Sequence, residues 1–242
     1  MQLTENDILY EDNHLLVVDK PAGIATMGAE GETETVAKLA AAYLKRKYNK
    51  PGNVFIGVVS RLDKPVSGVL VLARTSKAAS RLSDQIRRQV TRKRYVAWVS
   101  GEVKGSEWIE LTNYVRKNDA KQRMECFDSE ASGHQSGKMQ LAELRALPLV
   151  SDGRTSLLRV ELLTGRKHQI RIQLAHYGTP ILGDRKYGVD AGAPNWKSRT
   201  GIALHASELE IEHPTRKEKM VFRSSPLSLW AGLPPKFREA LS

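Results

Sequence analysis

The chain has 242 residues, 40% hydrophobic and 6% aromatic, with a formal net charge of +11. That length suits one large domain or one domain in two lobes. The positive excess points to a polyanion, RNA or DNA before an anionic membrane surface, with a merely soluble basic protein as the plain alternative. One cysteine, Cys126, excludes a disulfide framework within the chain and argues against a thiolate metal site. The start, Met1 to Asp7, is polar and acidic, unlike a signal peptide. No apolar run approaches the roughly 20 residues of a membrane helix. A cytoplasmic, soluble protein without membrane contact is expected.

Ile8 to Tyr10 and Leu15 to Asp19 predict two short strands split by a turn, and Lys20-Pro21-Ala22-Gly23 breaks the second. Thr35 to Tyr48 predicts a helix, with Val36, Leu39, Ala40 and Tyr43 on one face and Lys45 to Lys47 in its last turn. Two apolar runs, Val54 to Val59 and Val69 to Ala73, predict short buried strands. Ser76 to Val90 predicts a helix capped by Thr75 or Ser76, with Ala78, Leu82, Ile86 and Val90 at four-residue spacing and a basic opposite face. Strands are expected at 95–103, 108–112, 122–127, 139–147, 156–163, 202–211 and 219–223. Helices are expected at 168–177, with Gly178 at its C-cap, and at 234–241. Strands that follow one another directly argue for an α+β fold with a largely antiparallel sheet. Polar loops at 128–137 and 188–198 stand out, the first as a hinge or insertion between lobes.

Three constellations could carry chemistry. The first is Ser60-Arg61-Leu62-Asp63-Lys64-Pro65, between the two central runs. If Ser60 continues a strand, residues 61 and 63 share one side, and Asp63 is a carboxylate kept ionised by a neighbouring cation. The alternative is a turn-capping Asp paired with Arg61. The second is Gly165-Arg166-Lys167-His168-Gln169-Ile170-Arg171, where a strand gives way to a helix start and cations suit phosphate. It can equally be a solvated basic loop. His168 has no second His or Cys at ligand spacing, so it reads as a hydrogen-bonding residue rather than a metal ligand. The third is Arg92-Lys93-Arg94-Tyr95, where an aromatic beside cations can stack on a base. Tyr95 can also be an ordinary strand residue. No phosphate loop, dinucleotide fingerprint or paired-cysteine site occurs, so no cofactor and no metal are expected.

Taken in order, Val17 to Gly23, Ser60 to Gly68, Lys93 to Val96, Gly165 to Arg171, Gly178 to Asp184 and Leu204 to Ala206 resemble the RluA-type RNA pseudouridine synthases. The resemblance spans almost the whole chain. It implies the pseudouridine synthase fold, a mixed and mainly antiparallel sheet in two lobes with a central catalytic cleft. It implies isomerisation of uridine to pseudouridine in ribosomal or transfer RNA. Asp63 would be the catalytic aspartate, Tyr95 would stack on the uracil and serve in the final proton removal, and Arg171 would pair with Asp63. Arg61 would help flip or hold the target nucleotide. Lys20, Arg92, Lys93, Arg166, Lys167 and His168 are expected at the RNA. Ser60 and Gln173 stand where such proteins often carry His, which bears on substrate choice. A single catalytic domain over 1–242 is expected, without the small N-terminal RNA-binding domain many such proteins carry, acting as a monomer. The competing readings are a catalytically silent RNA-binding protein of the same fold and a glycosidase-like hydrolase using Asp63.

Overall fold

The computed structural model describes residues 1–28, 34–130, 138–188, 196 and 201–242. The loop expected at 128–137 lies outside the described residues from 131 on, as does the loop at 188–198 but for Gly188 and Trp196. The chain forms two units, Met1–Lys93 with His205–Pro226, and Arg94–Leu204 with Leu227–Ser242.

The first unit contains β1 (Ile8–Glu11), β2 (Leu15–Lys20), α1 (Val36–Lys47), β3 (Gly57–Val58), β4 (Ser67–Ala73) and α2 (Ser76–Arg87). All seven residues of β4 are buried, as a strand covered on both faces requires. Each of its large aliphatic side chains adds about 2 kcal/mol of burial. β2 lies antiparallel along β4, from Leu15 opposite Ala73 to Lys20 opposite Gly68. α1 is capped by Thr35, whose hydroxyl accepts the Lys38 N–H, and buries Val36, Leu39, Ala40, Tyr43 and Leu44. α2 is capped in the same way by Thr75. It stops at Arg87 because Gln89 turns to φ 57°, and Val90 is left exposed instead of completing the apolar face. Ala78 and Leu82 of α2 pack with Leu15, Val17, Val69, Val71 and Phe222 in one core cluster.

The central run at 54–59 departs from expectation. Only Gly57 and Val58 pair, with Ala73 and Leu72 at the end of β4, and Phe55 is half exposed. The strand premise for Ser60 therefore fails, and residues 59–66 form a loop. The alternation survives the correction: Leu62 is buried while Arg61 is exposed and Asp63 half-buried.

In the second unit, β5 runs Arg92–Ser100, β6 Ile109–Asn118, β7 Arg123–Phe127, β8 Gln140–Ser151 and β9 Thr155–Leu162. β5 starts three residues earlier than expected and so carries the whole Arg92 to Tyr95 cluster; the unit boundary falls within it, after Lys93. The strand order is β5-β9-β8-β6-β7, with β6, β7, β8 and β9 joined antiparallel. α3 (Gln169–His176) ends before Gly178, whose φ of 91° suits a helix C-terminus. β10 (Leu204–Glu212), which from His205 on belongs to the first unit, and β11 (Lys219–Arg223) of that same unit form a hairpin. β10 meets β4 in a short parallel contact at His205–Ser67 and Ala206–Gly68. α4 (Pro235–Glu239) closes the second unit, with Phe237 edge-on to Trp98. The architecture is α+β with a largely antiparallel set of strands, as the residues predict.

Candidate active site

In the first unit the Asp63 loop is braced by the segment after β2. Thr26 is buried, and its hydroxyl accepts the Leu62 N–H at 3.0 Å and donates to the Leu62 carbonyl at 2.8 Å. The Gly23 N–H donates to the Lys64 carbonyl at 2.8 Å, and the Val66 N–H to the Asp63 carbonyl at 3.0 Å. The backbone on either side of Asp63 is thus tied down, while its side chain stays half-buried.

Lys20 is fully buried. Its ammonium donates to the carbonyls of Pro21 at 2.9 Å, Ile24 at 2.7 Å and Lys64 at 3.4 Å. Burial pulls its pKa down to about 7, and the Asp63 carboxylate opposes that shift. This corrects the expectation that Lys20 meets RNA. All three of its protons are committed to backbone carbonyls, and none of its surface reaches solvent.

The start of β4, just after the loop, is tied into a polar chain in which Ser67 and His205 are buried and Asp19 and Ser224 half-buried. The Ser224 hydroxyl donates to Asp19 Oδ2 at 2.6 Å, so it accepts from His205 Nε2 at 3.1 Å. That leaves His205 Nδ1 to accept from the Ser67 hydroxyl at 2.9 Å. The order of donors fits a neutral imidazole protonated on Nε2. Burial pushes the His205 pKa down to about 4 and raises that of the Asp19 carboxyl.

In the second unit, Arg171 is held by its edge. Nε and Nη2 donate to Asp184 Oδ2 and Oδ1 at 2.7 and 2.9 Å, and both residues are buried. This is the bidentate fork geometry that fixes a guanidinium plane. Asp184 is itself held, with Oδ1 accepting the Lys186 N–H and its carbonyl accepting the Gly188 N–H. The Tyr187 ring lies under the guanidinium, 5.1 Å from centroid to carbon. The Tyr187 hydroxyl accepts the Met124 N–H at 3.1 Å and shares a 2.6 Å hydrogen bond with His168 Nδ1.

His168 precedes α3 in the left-handed region, at φ 56° and ψ 22°. Gln169, the first residue of α3, is buried. Its Oε1 accepts the Arg166 N–H and the Thr164 hydroxyl, and its Nε2 donates to the Glu143 carbonyl. Gln173 is fully buried, with Nε2 facing the Leu111 and Ala142 carbonyls and Asn113 Oδ1 at 2.8–3.1 Å. It fastens α3 to β6 and β8. No atom of it meets solvent.

Of the other expected residues, Arg61, Arg92 and Lys167 are exposed, whereas Lys93, Arg166 and His168 are half-buried. Burial lowers the pKa of Lys93, and Arg166 Nε donates to the Leu141 carbonyl at 2.9 Å. Tyr95 is buried in β5. Sequence reasoning gave no role to Thr26, Asp184 or Tyr187. The Gly-Asp-x-x-Tyr-Gly spacing around Asp184 and Tyr187 was the available signal for those two; Thr26 has none.

The family model described as RNA pseudouridylate synthase matches residues 14–176. A Pseudomonas aeruginosa protein, ribosomal large subunit pseudouridine synthase D, is 32% identical over 91% of this chain and 68% of its own length. Ribosomal large subunit pseudouridine synthase C of Buchnera aphidicola subsp. Acyrthosiphon pisum is 34% identical over 93% and 68%. Two solved human structures, RNA pseudouridylate synthase domain containing 4 and 1, share the fold. Each has a TM-score of 0.69, at 22% and 24% identity, covering 98% and 100% of this chain and 92% and 91% of theirs. On the matched motifs and these relatives, the chain belongs to the RNA pseudouridylate synthase family and is an RNA-modifying isomerase.

Proposed function

We propose that this chain converts uridine to pseudouridine in ribosomal RNA of the large subunit, with Asp63 as the reacting carboxylate. The names of the two bacterial relatives support the RNA class. The observation that carries the residue is the bracing of its loop. Thr26 binds Leu62 through both backbone groups, and Lys64 accepts from Gly23 and Lys20. A carboxylate that must meet one atom of a ribose gains from a backbone unable to drift.

The reaction balances without an added reagent. The C1′–N1 bond breaks, the uracil turns, C1′ bonds to C5, the C5 proton leaves and N1 takes up a proton. Asp63 starts the glycosidic cleavage, Tyr95 stacks on the uracil and serves in the final proton removal, and Arg171 supplies positive charge to the carboxylate. The target base is extruded from its stem, and the exposed cations Arg61, Arg92 and Lys167 hold the RNA backbone. The protein acts as a monomer, which light scattering at working concentration checks. A cytoplasmic site of action goes with the ribosomal substrate.

The test is tritium release from [5-³H]uridine-labelled ribosomal and transfer RNA by wild type and Asp63→Asn. Release from ribosomal RNA that vanishes in the variant is expected. Release from transfer RNA alone would overturn the substrate class. Release surviving in Asp63→Asn would overturn the role of Asp63. RNA binding without any release by wild type would favour the silent binding protein.

A further inference from the structure

We propose that Asp184 and Tyr187 are positioning residues for catalysis, holding the Arg171 guanidinium by its edge and by its face. The inference rests on the proposed role of Arg171 as the cation serving the reacting carboxylate. An arginine on the short helix α3 has several rotatable bonds to settle, and its charge is useful only where its plane and direction are constant. Asp184 removes rotation within the plane, through the 2.7 and 2.9 Å pair. Tyr187 removes tilt, through its ring 5.1 Å from the guanidinium carbon.

Tyr187 is not itself loose. Its hydroxyl is tied to the Met124 N–H of β7 and to His168 Nδ1, and the His168 ring stands edge-on to it at 5.6 Å. His168 takes a left-handed conformation immediately before the helix that carries Arg171. A non-glycine residue in that region is unusual. The rigid edge of the sheet is in this way connected, through one phenol, to both the start of α3 and the face of Arg171. The ion pair serves stability as well, so loss of folding alone would not reveal positioning; the turnover number does.

The experiment measures kcat and KM by tritium release for wild type, Asp184→Asn, Tyr187→Phe, Arg171→Ala, Arg171→Lys and the double variant Tyr187→Phe/Arg171→Lys, with a melting curve for each. Tyr187→Phe keeps the ring and loses only the hydroxyl anchors. It is expected to fold and to lose about tenfold in kcat with KM within about twofold. Asp184→Asn is expected to lose about a hundredfold; if it fails to fold, Tyr187→Phe decides. In the Arg171→Lys background, Tyr187→Phe is expected to change kcat by less than about twofold, because the plane it steadies is gone. A fully active Tyr187→Phe, or losses that multiply in the double variant, would overturn the proposal. Full activity of Arg171→Ala would instead remove the role of Arg171, and positioning with it. An inactive Arg171→Ala beside a fully active Tyr187→Phe would remove the positioning alone.

Discussion

Gly68 and Ala206 are in such close contact that a Cβ added to Gly68 would stand 2.3 Å from the Ala206 carbonyl oxygen and 2.6 Å from its nitrogen. Gly68 also has φ 111°, which L side chains rarely adopt. The parallel contact of β4 with β10 therefore requires glycine. Gly68→Ala is expected to destabilise the protein by about 4 kcal/mol or more, measured by urea unfolding. Because the strand beginning at Ser67 carries the Asp63 loop, tritium release is expected to fall as well.

Thr26 binds both backbone groups of Leu62 in a buried setting. Thr26→Val keeps the shape and removes both bonds, leaving a buried N–H and C=O unpaired. A loss of about 2–4 kcal/mol is expected in denaturant titrations. Under conditions where the variant stays folded, kcat should fall with KM little changed, since the loop loosens while the RNA-facing cations remain.

The buried His205 gives the stability a specific acid dependence. Its folded pKa of about 4 lies below the ordinary 6.5. Between those values the unfolded chain takes up a proton that the folded chain refuses, so stability falls as pH falls through that window. The full effect is on the order of 3 kcal/mol. Asp19, whose carboxyl is raised by burial, acts in the opposite sense at lower pH. Thermal melting from pH 7 to 4 is expected to show a steeper decline for wild type than for His205→Gln.

Gln173 is a fastener and not an RNA contact. Gln173→Met leaves the Leu111 and Ala142 carbonyls and Asn113 without their donor. It is expected to cost about 2 kcal/mol in stability. The set of uridines converted should be the same as in wild type, as read by mapping pseudouridines in the product RNA.

Local pattern accounts well for much of the fold. The apolar face of α1 at Val36, Leu39, Ala40 and Tyr43, the Thr75 cap of α2 and the apolar run of β4 each depend on neighbours within a few residues, and each lies where the sequence places it. Val54 to Val59 reads just as apolar, yet only Gly57 and Val58 pair. β2 already occupies one edge of β4 along its length, and no periodicity reveals which partner edge is taken.

The ordered motifs, from Lys20-Pro21 through Arg61-Leu62-Asp63 to Gln169-Ile170-Arg171, were enough to place the chain in its family. They did not disclose what each residue touches. Lys20 was expected at the RNA and is buried on three carbonyls; Gln173 stood only as a departure from a common His and is a core amide. Asp184 and Tyr187, given no role from sequence, hold Arg171 by its edge and its face. Composition, periodicity and motif order were determined by the sequence alone, because propensity and burial pattern act over short stretches of chain. Only the tertiary structure decided the partners: Thr26 meets Leu62 across 36 residues and Ser67 meets His205 across 138. Such bonds form because the folded backbone brings buried donors to acceptors that must not be left unpaired.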